Sequence, residues 1–227
     1  MKPYRHELKY YISNMEYELL SRKLSLTMDR DANASSSGMY FIRSLYFDNF
    51  SDSALNEKLE GIDHRNKYRI RIYNLSPRHI KLERKHKEGP YIYKDSLQLS
   101  RDECDALMMG RHQVLLQRGE RVAKELYAAF STGYLRPRVI VDYWREAYVF
   151  PTEDTRVTFD MDVRTAYRAT NLFDKSLPTY PAVDDYDMIL EVKFNKYLPG
   201  YIRALIQPVQ SGERSAISKY CLARKYE

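Results

Sequence analysis

Lys67-Tyr-Arg-Ile-Arg-Ile-Tyr73 (KYRIRIY) and Lys81-Leu-Glu-Arg-Lys85 (KLERK) are the stretches from which the fold is read. Both alternate at period two, and side chains of a strand point to opposite sides in turn. Arg69 and Arg71 therefore share one face, and Tyr68, Ile70 and Ile72 the other. In KLERK, Lys81, Glu83 and Lys85 form a second polar row. An ordinary half-buried strand shows water a mixed polar face; here the polar places hold long cations interrupted by single carboxylates.

The pattern extends along the chain. Arg5, Glu7 and Lys9 line up in RHELKYY, and Lys94 offers the same in YIYKDS. Tyr143 and Arg145 share a face with Val141 and Ala147 in VIVDYWREAY, while Trp144 points away toward outer packing under a helix. Arg156, Thr158, Asp160 and Asp162 follow in RVTFDMD, and Glu191 and Lys193 in ILEVKF. Eight strands are predicted, at residues 4–12, 39–48, 64–74, 78–86, 91–98, 135–149, 155–163 and 187–195.

Helices are marked by local punctuation. Asn14 is placed to cap one carrying Leu19, Leu20 and Leu24, and Ser51 or Asp52 one that carries Leu55 and Leu59 and stops at Gly61. Ser100 and Glu103 form a capping box for a helix that ends at Gly110. From Arg118 to Thr132 a further helix puts Val122, Leu126 and Phe130 on one face, and a C-terminal helix is expected from about Arg214. With no internal repeat and no linker between two cores, residues 1–227 are expected to form one domain.

Strands with polar rows can wrap so that their apolar sides face outward under helices and their polar sides converge on a lumen. The expected fold class is therefore α+β, a closed eight-stranded antiparallel β-barrel tunnel flanked by helices. Unpaired charges cannot be desolvated cheaply, so such a lumen holds water and a polyanion. A phosphate chain suits it, since Arg forks grip phosphate oxygens and Lys supplies point charge. The inward carboxylates suit a hard divalent cation, Mg or Mn, bound by one or two carboxylates and by substrate phosphates. Glu191 is the first candidate ligand and Glu7 the second, with ion pairing to neighbouring cations as the alternative for each; Glu83 reads as a partner of Lys81 and Lys85.

Composition narrows the classes. The 37 Lys and Arg exceed the 31 Asp and Glu, for a net charge of +6, and the two cysteines read as packed free thiols. Eight glycines form neither phosphate-binding loop signature, so side chains must hold any phosphate. No apolar run suits a membrane span, and MKPYRHELKYYI is unlike a signal peptide, which places the chain in the cytoplasm. The histidines lack metal-ligand spacing.

Eight short motifs in order carry a resemblance: Glu7–Tyr10 (E-x-K-Y), Tyr46–Asn49 (YFDN), Arg69–Tyr73 (R-x-R-x-Y), Glu83–Lys85 (E-R-K), Arg145–Tyr148 (R-E-A-Y), Arg156–Asp160 (R-V-T-x-D), Leu190–Lys193 (L-E-V-K) and Ser218–Tyr220 (S-K-Y). Together they resemble the VTC domain, the vacuolar transporter chaperone type of polyphosphate polymerase within the triphosphate tunnel metalloenzymes. The resemblance implies polyphosphate synthesis from the γ-phosphate of ATP with Mn or Mg, on ATP, diphosphate and polyphosphate. It matches Lys9, Arg69, Arg71, Lys85, Lys94, Arg145 and Arg156 to lining positions that hold the triphosphate, and Tyr143 to a lining tyrosine. Glu191 matches the metal-binding glutamate, and Ser218 and Lys219 an S-K pair that holds phosphate. Lys193, beside Glu191, joins the substrate-binding set; Lys9, Arg69, Arg71, Lys85, Arg145, Arg156 and Glu191 form the catalytic one.

Where other tunnel metalloenzymes begin with E-x-E-x-K, the first position here is Arg5, which favours the polymerase branch. Eukaryotic relatives carry a membrane segment, so a separate membrane protein partner, holding the chain at the inner face of a membrane, is the expectation attached to that difference. Two alternatives stay open: hydrolysis of tripolyphosphate or a nucleoside triphosphate in the same tunnel, and a non-catalytic polyphosphate-binding module. Nucleic acid is not expected, because +6 is modest and the 21 tyrosines are spread over the chain.

Overall fold

Alternating residues become long antiparallel strands, and the local punctuation sets the helices between them. The structure is a computed structural model, and its described residues are 5–35, 37–89, 91–166, 169–183, 188–207 and 216–225. In chain order the elements are β1 (His6–Ile12), α1 (Asn14–Ser25), β2 (Asp29–Arg30), β3 (Met39–Asp48), α2 (Ser53–Leu59), β4 (Arg65–Tyr73), β5 (Ser76–Glu88) and β6 (Tyr91–Leu99). There follow α3 (Arg101–Met108), a 3-10 turn (His112–Gln117), α4 (Arg121–Thr132), β7 (Arg136–Phe150), β8 (Thr155–Ala166), β9 (Tyr180–Pro181), β10 (Met188–Phe194), α5 (Gly200–Ile206) and α6 (Lys219–Ala223). The expected helix start near Arg214 lies outside the described residues.

The caps are partly those expected. Ser100 and Glu103 do form a capping box on α3. On α1 the box is made one residue earlier than expected, by Ser13 with Glu16. Asp52 occupies the N-cap position of α2 without a side-chain cap bond; the Asp48 carboxylate, from the end of β3, accepts from Ala54 N and Leu55 N instead.

The strands pair in the order β1-β10-β8-β7-β3-β4-β5-β6, all antiparallel, with short β2 on β7 and β9 on β8. The expected closed barrel is corrected here: among the described residues no ladder joins the edge strands β1 and β6. The sheet nevertheless curls far enough that Lys85 Nζ on β5 donates to Glu7 Oε2 on β1 at 2.7 Å. Ladder strands stand about 4.8 Å apart, whereas a carboxylate and a long ammonium side chain fill this gap. Side chains, not backbone, link β1 to β5, the strand next to the far edge.

The convex face is apolar and lies under helices. Ile70, Ile72, Leu82 and Leu97 pack with Leu107 of α3 and Leu126 and Phe130 of α4. Farther round, Tyr10, Phe159, Leu190 and Val192 pack with Leu20 and Leu24 of α1 and Ile202 and Ile206 of α5. A third cluster lies on the concave side, where Tyr40, Ile42, Tyr46, Val141, Tyr143 and Ile189 meet Ile217, Tyr220 and Ala223 in and before α6. Trp144 departs from expectation: it points outward but is 43% exposed and rests edge-on against Phe41, at 5.3 Å between ring centroids. Among the described residues no helix is long and apolar enough to cross a membrane.

Between β7 and β8 the register slips by one residue, with Asp162 and Val163 opposite Tyr143 and Asp162 at φ +47°. Such a bulge re-aims the side chain it carries. Asp162 leaves the polar row and pairs with Arg164 near solvent at 3.2 Å.

Phe130 is fully buried and packs edge-on against Phe47 (4.9 Å) and Tyr68 (5.7 Å). Phe130→Ala should lower unfolding stability by about 3–5 kcal/mol in urea titration. Anion affinity of the folded protein should stay unchanged, since this cluster lies on the side away from the polar row.

Candidate functional site

Strand parity and register gather the polar rows onto the concave face. The pairs Glu7↔Lys193, Lys9↔Glu191, Glu191↔Thr158 and Lys193↔Arg156 run across β1, β10 and β8. Asp160↔Arg145, Arg145↔Tyr40, Tyr46↔Arg69 and Ser44↔Arg71 continue across β7, β3 and β4. Arg69↔Glu83, Lys67↔Lys85 and Lys85↔Lys94 complete the wall.

Arg69 donates from Nε to Glu83 Oε2 at 2.7 Å and from a terminal nitrogen to the Tyr46 hydroxyl at 3.1 Å. Lys94 reaches the other oxygen of Glu83 at 2.6 Å. Glu83 is buried, which opposes its ionisation, yet Arg69, Arg71 and Lys94 overcome this and hold its carboxyl far below the usual range. The expected pairing of Glu83 with Lys81 and Lys85 is thus corrected: register puts Arg69 directly opposite it. Among Arg69, Arg71, Arg145 and Arg156, Arg71 is the least neutralised, donating to Ser44 Oγ at 3.2 Å and the Tyr143 hydroxyl at 2.9 Å, with Glu83 only at 4.0 Å.

Glu7 and Glu191 are diagonal neighbours on the paired strands β1 and β10 of the opposite wall, close enough for each to act on the other's charge. Lys9 bridges them, at 2.8 Å from Glu7 and 3.4 Å from Glu191. Lys193 lies 2.7 Å and Arg145 3.6 Å from Glu191. Burial pushes both carboxyls up, but the surrounding cations outweigh it, so both are held below the usual range, Glu191 strongly. In return Glu7 and Glu191 overcome the burial of Lys9 and raise its ammonium. Burial dominates at Lys193 and brings it down to about 8.

Arg145 forks onto Asp160 at 2.6 and 2.7 Å. Lys219 reaches the same carboxylate from α6 and lies 4.7 Å from the centroid of the Tyr143 ring. Arg145 and Lys219 override burial and hold Asp160 at about 2. Arg156 is fixed by Asp31 and by the Tyr40 hydroxyl, the latter at 2.8 Å. The segment leading into α6 is held by lysines of the wall: Lys9 Nζ donates to Ile217 O at 3.1 Å and Lys67 Nζ to Ser218 Oγ at 2.7 Å.

The thirteen residues offered above as substrate or metal positions, namely Glu7, Lys9, Arg69, Arg71, Lys85, Lys94, Tyr143, Arg145, Arg156, Glu191, Lys193, Ser218 and Lys219, border one groove, whereas Arg5 and Asp162 of the same polar rows lie outside it. Three contributors went unread. Lys67 was legible from parity, two residues before Arg69. Tyr46 lay within a quoted motif; burial would raise its phenol, but Arg69 and Arg71 bring it down to about 8. Asp31, in a stretch read as loop, left no signal. The ten groove cations named (Lys9, Lys67, Arg69, Arg71, Lys85, Lys94, Arg145, Arg156, Lys193 and Lys219) face five carboxylates: Glu7, Asp31, Glu83, Asp160 and Glu191. The excess of cations leaves the groove with a positive potential.

The donor set fits a divalent cation. Among the described residues no three His, Cys, Asp or Glu side chains cluster at ligand spacing. The Glu7–Glu191 pair offers hard oxygens from two residues, the number Mg or Mn takes when phosphate oxygens and water supply the rest.

Comparison with known proteins gives the groove its setting. The VTC domain model matches residues 4–226. No curated protein matches. Among solved structures the chain is similar to a candidate adenylyl cyclase from Hippeastrum with a dominant triphosphatase activity, at TM-score 0.59 and 15% identity, over 96% of this chain and 94% of that one. It is also similar to a candidate adenylate cyclase from Bacillus halodurans, at TM-score 0.60 and 12% identity, over 99% and 98%. At these identities they establish a shared fold alone. The match along nearly the whole sequence settles the family: the chain belongs to the VTC domain family.

Proposed function

We propose that this chain is a metal-dependent polyphosphate polymerase that moves the γ-phosphoryl group of ATP onto the end of an inorganic phosphate chain. The observation that carries this reading is a groove whose named cations outnumber its carboxylates two to one, with a Glu7–Glu191 pair in its wall.

Phosphoryl transfer asks an enzyme to align nucleophile, phosphorus and leaving oxygen and to neutralise charge. Arg71 is suited to clamp phosphate, because its close partners are the neutral hydroxyls of Ser44 and Tyr143. Arg69 and Arg145 are oriented by Glu83 and Asp160, which fix their planes toward the groove. Lys9, Lys85, Lys94, Arg156, Lys193 and Lys219 surround the path with further charge. The bond between the γ-phosphorus and its bridging oxygen breaks, a terminal phosphate oxygen of the chain bonds to that phosphorus, and ADP leaves. The acceptor is already ionised, so no protein base is needed. Glu191 and Glu7 would hold the Mn or Mg, which when bound neutralises phosphate charge.

Hydrolysis, with water as acceptor, is the second reading, favoured by the dominant triphosphatase activity of the Hippeastrum protein of this fold. Against it, Arg5 pairs with Asp154 outside the groove, where the side chains are 50% and 62% exposed, so β1 adds only one carboxylate to the site. Incubation with γ-labelled ATP and Mn, resolved by chain length on a gel, separates the two: a ladder is expected, and orthophosphate alone would establish the hydrolase.

Glu191→Gln should lower metal-dependent turnover by roughly a hundredfold or more. Metal-free tripolyphosphate binding should persist or tighten, because one buried negative charge is gone; full activity of this variant would remove Glu191 from the metal site. Arg71→Ala should weaken tripolyphosphate binding by roughly ten- to a hundredfold in calorimetry, the range of a lost charge-assisted hydrogen bond. Unchanged affinity would exclude Arg71 from the clamp.

A further inference from the structure

Three lysines stand directly opposite one another across neighbouring strands at one level of the groove: Lys67 on β4, Lys85 on β5 and Lys94 on β6. Like charges directly opposite in a sheet repel. Two are compensated, Lys85 by Glu7 at 2.7 Å and Lys94 by Glu83 at 2.6 Å. Lys67 is not: its Nζ donates to the neutral Ser218 Oγ and lies 5.6 Å from the centroid of the Tyr220 ring.

Ser218 extends the observation from the other side of that bond. A hydroxyl has two acceptor lone pairs and one donor proton. Its oxygen already accepts from Lys67 Nζ at 2.7 Å and from Cys221 N at 3.4 Å. Its proton is thus best used toward an acceptor that approaches from the groove. An ammonium lacking a carboxylate and a hydroxyl with both lone pairs engaged describe a receptor for phosphate oxygen.

We propose that Lys67 and Ser218 form a phosphate subsite for the chain beyond the arginine rung, so that Lys67 is a substrate-binding residue selecting long phosphate chains over short ones. This rests on the reading of the groove as a polyphosphate site. The spacing supports it: along β4, Lys67 lies two residues from Arg69 and four from Arg71, roughly 13 Å from the latter at about 3.3 Å per residue. A phosphate chain that runs along the strand meets Arg71, Arg69 and Lys67 in turn, and a longer chain engages more of them at once.

The charges around Lys67 give the subsite a pH signature. Burial is the largest influence and brings its ammonium down to about 8; Lys58 of α2 and Lys85 of β5 push the same way, while Cys221 of α6 and Tyr46 of β3 oppose. A bound phosphate favours the protonated form, so near pH 8 the complex takes up a proton, and affinity falls as pH rises through that value. Tyr46 and Lys193 also titrate near pH 8, and replacement of Lys67 isolates its share.

The test is metal-free calorimetry at pH 8, in two buffers of different ionisation enthalpy, with tripolyphosphate and long-chain inorganic polyphosphate. Lys67→Met should bind the long chain roughly tenfold more weakly and tripolyphosphate almost as the unsubstituted protein does. Lys67→Arg should recover the long-chain affinity while proton uptake falls by about half a proton, the share of a group near its pKa. A merely structural role at α6 would not move proton uptake in the arginine variant. Equal long-chain affinity in Lys67→Met, or unchanged uptake in Lys67→Arg, would overturn the subsite while leaving the polymerase reading intact. If the unsubstituted protein bound neither anion, the polyphosphate reading itself would fall, and the subsite with it.

Discussion

Charge held on the inner side of a curled sheet is the constraint around which this molecule is arranged. A desolvated cation is costly unless something compensates it, and the groove compensates its cations unequally. Glu83 is shared among Arg69, Lys94 and more distant Arg71, Asp160 between Arg145 and Lys219, and Glu7 between Lys9 and Lys85. Each of these three carboxylates serves two or more cations, which fixes their positions without cancelling their charge. The remaining positive potential is what a polyanion would neutralise.

The rest of the fold keeps that arrangement in place. Ridges of Ile, Leu and Phe bind the convex face to α1, α3, α4 and α5, so groove side chains sit on strands anchored from behind. On the concave side, the cluster around Tyr143 and Tyr220 closes part of the interior with apolar contacts. Network bonds from Tyr220 to Asp48 and from Arg224 to Asp52 tie α6 to β3 and the start of α2. The C-terminal segment is consequently a wall of the site, and Ser218 and Lys219 reach the groove because of it.

The carboxylates of the groove have two different settings. Glu83 and Asp160 each receive an Arg guanidinium at short range, an arrangement that orients the arginine. Glu7 and Glu191 face each other and are surrounded chiefly by lysines, whose flexible point charges yield more readily than a planar fork. The pair in which two acids share one place is also the pair that presents adjacent hard oxygens.

Much of this was determined by the sequence. Period-two alternation in KYRIRIY, KLERK and ILEVKF is local, and in an antiparallel sheet parity alone assigns each side chain to a face. The strands, the inward cations and the capping box at Ser100 follow from it. Tertiary structure decided what depends on distance through space. The curl of the sheet, with β1 linked to β5 by Glu7 and Lys85 and not by a ladder, depends on how strands far apart in the chain approach. The bulge that turns Asp162 outward depends on the register between β7 and β8. The partners of Arg156, Lys67 and Asp160 come from residues 125, 151 and 59 positions away. Periodicity specifies which way a side chain points, and only the packed chain specifies what it meets.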